Sequence, residues 1–233
     1  MLIAMVPGVD IIVPAGPGDD AWRGLLPQLA EANANRIALV LAGNDDPDME
    51  NPPAGLCIHR SAAGRAIQLN AGARGSDAAW LWFVHADSRV IPATLRAMQR
   101  FVDDDAAAIG YFRLRFLDDG PRLMFLNAWG AHFRSRALGL PFGDQGLLMP
   151  RRIFDVLGGF DESVAAGEDH DLIWSARTRG IPLLPVPAPI FTSARKYAKR
   201  GWWRTTREHL GMTRDQARRF SRRHAHPDSI EPS

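Results

Sequence analysis

Along this chain apolar residues gather in short runs, and the spacing within each run separates strands from helices. Val9–Pro14 is a compact apolar run closed by Pro and Gly, the form of a buried strand. Trp22, Leu25, Leu26 and Leu29 repeat at helical spacing, which predicts a first helix after Asp19-Asp20. Arg36–Leu41 is a second buried strand, followed by the turn-rich Gly43-Asn44-Asp45-Asp46-Pro47. Leu56–His59 fits a short third strand, Gly64–Arg74 a helix and Ala79–Val84 the next strand. Pro92–Val102 follows as a helix with Pro in its first turn. Strands alternating with helices at this spacing build βαβ units and a mostly parallel sheet.

The second half has a different rhythm. In Ile109–Phe116, Gly110, Phe112, Leu114 and Phe116 alternate with Tyr111, Arg113 and Arg115, which predicts a half-solvated strand. Pro121–Leu138 reads as helical, and Gly146–Met149 as a strand leading into Arg151–Leu157. Glu168–Arg179 opens on acidic residues and closes on Arg179-Gly180, a helix start and stop. The Pro-rich stretch 181–190 is extended, and Lys199–Arg223 is a long basic helical stretch. There are no internal repeats.

Composition adds two constraints. The 233 residues are enough for one large α/β domain with a sizeable core. No apolar run reaches the roughly 18 residues a bilayer span needs. The opening MLIAMVPGVDIIVP lacks a basic region and a small-residue cleavage site, so it does not read as a signal peptide. The single Cys57 excludes an internal disulfide and fits a cytoplasmic protein. The net charge of +2 conceals an asymmetry. Thr192 to His226 holds 11 Lys/Arg against 2 Asp/Glu, and the remainder 17 against 24, so an acidic body carries a basic C-terminal segment.

The chemistry concentrates in two places. Trp80-Leu81-Trp82-Phe83-Val84 ends abruptly in His85-Ala86-Asp87-Ser88, which puts a carboxylate at a strand's C-terminal end, where open α/β sheets place ligands. A carboxylate there can hold a divalent cation, and the cation a diphosphate; the alternative is an Asp that caps the next element. About eighty residues on, Gly167-Glu168-Asp169-His170-Asp171-Leu172 forms an acidic helix start. It suits either proton abstraction or simple complementarity to the helix dipole. Four acidic or His residues in succession are expected to raise one another's pKa values.

These segments, with two more, resemble the family-two glycosyltransferases of GT-A fold. The further two are Gly64-Arg65-Ala66-Ile67-Gln68-Leu69-Asn70-Ala71-Gly72-Ala73, and Phe142-Gly143-Asp144-Gln145-Gly146 running through Arg151-Arg152 to Gly158-Gly159-Phe160-Asp161. The resemblance spans roughly residues 9–180. The tail, from Thr192-Ser193-Ala194-Arg195 through Gly201-Trp202-Trp203-Arg204-Thr205, is similar to a subgroup of small stand-alone bacterial members associated with arsenosugar biosynthesis.

The resemblance implies a three-layer αβα sandwich with a mixed, mostly parallel sheet and a basic helical C-terminal tail. It divides the chain into a domain over 1–191, with a nucleotide-binding half to about 105 and an acceptor half from about 106, and an extension over 192–233. It implies an inverting, metal-dependent transfer of a sugar from a nucleotide diphosphate sugar to an acceptor hydroxyl on a small molecule, a lipid-linked carrier or a glycan. His85-Ala86-Asp87 is similar to the family's metal motif with His in place of the first carboxylate. Asp87 is then the ligand for Mg²⁺ or Mn²⁺, with His85 the weaker candidate because a hard cation prefers oxygen. Asp169 falls at the position of the general base, with Glu168 beside it. Arg65, Gln68 and Asn70 are placed against the nucleotide, and Asp144 and Gln145 near the donor sugar or acceptor.

Two departures concern the base of the nucleotide. Pro17-Gly18 stands where the family has an Asn-acidic pair, with Asp19 one place later. Ala42 stands where an Asp usually holds the base, with Asn44-Asp45-Asp46 following. Asp19 and Asp45 are the shifted candidates. Two other readings stay open: a degenerate domain acting as a binding module, and a sugar-phosphate nucleotidyltransferase. The second lacks its expected cationic pair in Pro14-Ala15-Gly16-Pro17-Gly18-Asp19-Asp20. The tail with Trp202-Trp203 fits a solvated helix packed on the body, or peripheral contact with the inner face of a membrane. It carries no nucleic-acid motif.

Overall fold

The computed structural model describes residues 8–43, 47, 49, 51–121, 124–137, 139–164 and 167–194. Asp45 and the tail beyond Ala194, with Trp202-Trp203 and the expected helix Lys199–Arg223, lie outside the described residues. The elements run β1 (Val9–Ala15), α1 (Leu26–Leu29), β2 (Arg36–Ala42), β3 (Leu56–Ser61), α2 (Arg65–Arg74), β4 (Trp80–Phe83), β5 (Ser88–Arg89) and α3 (Pro92–Asp103). They continue with β6 (Ile109–Phe116), α4 (Met124–Ala137), β7 (Leu147–Pro150), α5 (Arg151–Leu157), α6 (Glu168–Thr178) and β8 (Leu183–Thr192). The strands form one sheet in the order β3-β2-β1-β4-β7-β6-β8-β5. β1 to β4 are mutually parallel, β7 runs antiparallel to β4 and β6, β8 is parallel to β6, and β5 is antiparallel to β8. The sheet is mixed and mostly parallel, as expected.

The continuous apolar runs are explained by burial on both faces. In β4, Trp80 and Trp82 point into one core and Leu81 and Phe83 into the other. The first core takes Leu26 and Leu29 of α1 and Met98, Phe101 and Val102 of α3. The second takes Ala66 and Leu69 of α2, Ile153 and Phe154 of α5, and Leu172 and Ile173 of α6. Each fully buried large side chain contributes about 1.5–3 kcal/mol, so the sheet with a layer of helices on either face is the low-energy arrangement.

Two elements differ from the sequence pattern, and a third, expected to be extended, is a regular strand. Trp22, Leu25, Leu26 and Leu29 are all buried, but they lie on a 3₁₀ turn over Ala21–Gly24 followed by the single turn α1. Pro27 has no N–H to give the Arg23 carbonyl, so one continuous helix cannot form. Ile109–Phe116 is not half-solvated along its length: its first four residues are buried between β7 and β8, and only Arg113 and Arg115 are exposed. Residues 181–190 yield a true strand in β8, despite Pro185, Pro187 and Pro189. For most of its length β8 has a strand on one side only, where missing donors do no harm.

β5, two residues long, forces the sheet to curl. It stands four places from β4, about 19 Å in a flat sheet. The step from Phe83 to Ser88 spans at most about 17 Å, and the turn that bonds Ser88 N–H to His85 O at 3.0 Å shortens it further. The far edge therefore bends back over the carboxyl end of β4. A bulge between Phe112 and Arg113, where β8 inserts residues opposite β6, accommodates the bend.

Candidate active site

The carboxyl ends of β1 to β4 and the loop that enters β7 share one edge of the sheet. His85-Ala86-Asp87 forms the turn between β4 and β5, with His85 and Asp87 both half-buried. Phe83 pairs with Leu147, so the 3₁₀ turn Gly143–Gln145 before β7 lies beside it. Helices α2 and α6 begin at the same edge. Each starts after a glycine with positive φ (Gly64 at 141°, Gly167 at 84°), and neither has a side-chain cap. The N-cap glycine of each helix offers no side chain to the first N–H groups; at α6 the Asp169 carboxylate takes the His170 N–H instead, while the start of α2 keeps the character that favours anions.

Asp169 is the centre of the arrangement. Its Oδ2 accepts the Gly143 N–H at 2.6 Å, and its Oδ1 accepts the His170 N–H at 3.0 Å. Gly143 is a close-approach position. A Cβ there would stand 3.0 Å from His85 Nε2 and 3.1 Å from Asp169 Oδ2, so glycine lets these two groups share one small space. Burial opposes the charge on Asp169. The nearby charge of His170, the Gly143 N–H, Arg65 and His85 together outweigh it and hold the carboxyl below the ordinary range.

Glu168 behaves oppositely. Its side chain is 3% exposed, and Arg65 Nη1 lies 3.5 Å from its Oε1. That oxygen makes no hydrogen bond among the described residues. Burial, and then the adjacent Asp169 charge, push Glu168 up, against the pull of Arg65 and of backbone N–H groups. The expectation that these neighbours raise one another therefore holds for Glu168 and reverses for Asp169.

The remaining site candidates divide by what they touch. Arg65 is half-exposed at the head of α2, beside Glu168. Asp19 is exposed on the loop after β1, where its Oδ1 accepts the Ala21 N–H at 3.0 Å. Asp144 is half-buried in the turn beside Gly143. Three amides are engaged with the protein itself. Gln68 donates to Ala15 O at 2.6 Å and Val40 O at 2.8 Å, clamping the ends of β1 and β2. Asn70 donates to Phe160 O and accepts the Phe160 N–H, which ties α2 to the Gly158-Gly159-Phe160-Asp161 stretch. Gln145 accepts from Ser135 Oγ at 2.7 Å and donates to Phe112 O at 3.1 Å, fixing the turn that carries Gly143.

Sequence reasoning missed one backbone group and one ring contact. The Gly143 N–H is a backbone group, and only its place in the Phe142-Gly143-Asp144-Gln145 motif hinted at it. His170 stacks on Phe142 at 3.4 Å, and Phe142 in turn lies under the Arg134 guanidinium at 3.7 Å, so α4, the turn and α6 are locked together.

No group of three or more His, Cys, Asp or Glu that could cage a metal occurs among the described residues. Mg²⁺ is commonly held by one or two carboxylates together with substrate phosphates. The half-buried Asp87 offers such an oxygen.

No protein-family model and no curated protein matches the chain. Solved structures do. The mannosyltransferase PcManGT from Pyrobaculum calidifontis, in complex with GDP-Man and Mn²⁺, superposes with a TM-score of 0.65 at 20% identity, over 93% of this chain and 65% of that one. TarS 1–349 of S. aureus in complex with UDP-GlcNAc gives 0.62 at 15% identity, over 80% and 58%. The fold is GT-A-like. The chain spans less than two thirds of these neighbours' length; for S. aureus TarS in its longer form the share is 36%.

Proposed function

We propose that the chain is an inverting glycosyltransferase of family two that moves a sugar from a nucleotide diphosphate sugar to an acceptor hydroxyl. The observation that carries this is the position of Asp169. A buried, ionised carboxylate at the head of α6 is held by the Gly143 N–H and faces His85, two residues from Asp87. Segments far apart in sequence are thereby gathered at the sheet edge where α/β proteins bind nucleotides. The solved neighbours, in complex with UDP-GlcNAc or with GDP-Man and Mn²⁺, support a donor of this class.

In this reading Asp87 holds a Mg²⁺ or Mn²⁺, which supplies charge stabilisation to the departing diphosphate. His85 serves the surroundings of Asp169, since its Nε2 points to the Gly143 side. Arg65 and the uncapped start of α2 receive phosphate oxygens. Asp169 takes the acceptor hydroxyl's proton on a carboxylate oxygen. Its lowered pKa keeps it ionised at neutral pH, so the proton transfers late, as the hydroxyl oxygen bonds to the anomeric carbon. Gln68, Asn70 and Gln145 hold the frame.

One observation favours a second assignment of the base. Glu168 has the raised pKa and an oxygen without a hydrogen bond among the described residues. Comparing Asp169→Asn with Glu168→Gln in turnover separates the two. The overall reading is tested by thermal shift with UDP-GlcNAc and GDP-mannose, with and without Mn²⁺. A bound donor raises stability by an amount set by its excess over Kd, about 2.7 kcal/mol at a hundredfold excess. No metal-dependent shift with any nucleotide diphosphate sugar would return the chain to the non-catalytic alternative.

A further inference from the structure

The contact between Arg65 and Glu168 joins the first residue of α2 to the first residue of α6, and its two ends are unequal. Arg65 is 52% exposed in its side chain and can swing with little loss of packing; Glu168, at 3%, cannot follow. The pair is loose at 3.5 Å, and Glu168 Oε1 has no hydrogen bond among the described residues. A diphosphate offers the planar guanidinium two oxygens at once and more negative charge, whereas the Glu168 carboxylate stands 3.5 Å away from it. The charged groups facing Glu168 are Asp169 on its own helix and Arg65 on α2, while His85 and His170 face Asp169.

We propose that Arg65 exchanges partners: a nucleotide diphosphate draws its guanidinium off Glu168, and the abandoned carboxylate takes a proton from solvent. This rests on the donor site described above and adds a consequence that site alone does not have. A buried carboxylate beside a second one, stripped of its cation, is the costlier state, and one proton from the buffer removes that cost. The tendency of Glu168 toward the protonated form while Arg65 is still present points the same way. Donor occupancy is thus transmitted to the head of the helix that carries Asp169.

The experiment is calorimetric titration of the full chain with UDP-GlcNAc and GDP-mannose in Mn²⁺, at neutral pH, in buffers of low and high ionisation enthalpy. The diphosphate of a nucleotide sugar has no ionisation of its own in this range, so proton uptake reports the protein. The parent should take up a proton on binding, up to about one per nucleotide. Glu168→Gln should take up almost none, and Arg65→Gln should lose the uptake because its Glu168 is without the cation from the start. If the Glu168→Gln variant does not fold, the Arg65→Gln variant, changed at a half-exposed position, still decides. Equal uptake in parent and variants, or binding by the parent without uptake, overturns the exchange while leaving the donor site intact. Failure of the parent to bind either nucleotide overturns the donor site itself, and the exchange with it.

Discussion

Replacing Asp169 by Asn tests the site most sharply, because the geometry fixes two separate costs. Both carboxylate oxygens accept backbone N–H groups, Gly143 at 2.6 Å and His170 at 3.0 Å. Asn has one oxygen, so in either orientation its NH₂ faces a backbone donor. One charge-assisted hydrogen bond is lost, about 1.5–3 kcal/mol. Relief of the buried charge does not cancel this, since the interactions that favour the charge already outweigh its burial. For a chain of this size each kcal/mol moves Tm by about 2–4 °C, so the melting temperature should fall by about 3–12 °C. If Asp169 is the base, turnover falls by a further 10²–10⁴-fold, roughly, with donor affinity retained. A control that weakens the same turn is Ser135→Ala, which removes the 2.7 Å bond to Gln145 without touching the carboxylate. Melting temperature, donor affinity and turnover should be read on one preparation of each. Near-parental turnover in the Asn variant, or a turnover loss no greater than that of Ser135→Ala, refutes the assignment and moves the base to Glu168. An unchanged Tm refutes the hydrogen-bond geometry. Because the Asp169 pKa is lowered, its stabilisation is present above the ordinary value of 3.8 and is lost as pH falls through the folded-state value. The Tm gap between parent and Asn variant should therefore close in strong acid.

Four further outcomes are expected. Gly143→Ala places a methyl 3.0 Å from His85 Nε2 and 3.1 Å from Asp169 Oδ2, and should cost about 1–3 kcal/mol in denaturant titration together with most of the turnover. The raised pKa of Glu168 means that its contribution to stability is full below the ordinary value of 4.5 and is lost as pH rises through the folded-state value; Glu168→Gln should abolish that decline in a pH series of melting curves. Asp87→Ala should remove Mn²⁺-dependent binding of nucleotide diphosphate sugars in calorimetry while circular dichroism stays parental, with a smaller loss for His85→Ala; parental binding would reduce Asp87 to a turn residue. Asn70→Ala leaves both polar groups of the Phe160 backbone without this partner and should destabilise by about 1–3 kcal/mol, read as a lower denaturation midpoint.

Much of the fold is legible in the sequence because burial on both sheet faces writes itself as apolar runs. β4 shows why: its four residues feed two cores alternately, so no polar position interrupts it. What is not legible has local causes. β5 is two residues long and owes its existence to pairing with Phe191 and Thr192, more than a hundred residues away. The curl of the sheet follows from that pairing, not from any local propensity. The break at Leu25 could have been read from Pro27, whereas the helical spacing of four buried side chains survives whether the helix is continuous or not.

The candidate site divides along a similar line, between groups that have a side-chain signature and groups that do not. Asp87 and Asp169 stand out because carboxylates at a strand end and at a helix start are conspicuous in sequence. The Gly143 N–H has no such signature, yet its hydrogen bond to Asp169 is shorter than that of the His170 N–H. Amides carry a different ambiguity. Gln68, Asn70 and Gln145 sit in the right motifs, but an amide that could bind a ligand can equally clamp a backbone, and here each does. Charge state is the least legible of all. Glu168 and Asp169 are sequence neighbours with similar side chains, and sequence alone assigns them the same fate. Their surroundings come from α2, from the turn after β4 and from the turn before β7, and they drive the two carboxyls apart: Asp169 toward the ionised form, Glu168 toward the protonated one. Adjacent titratable groups pushed in opposite directions allow one to accept a proton while the other holds one. That division of labour arises only when the four segments meet.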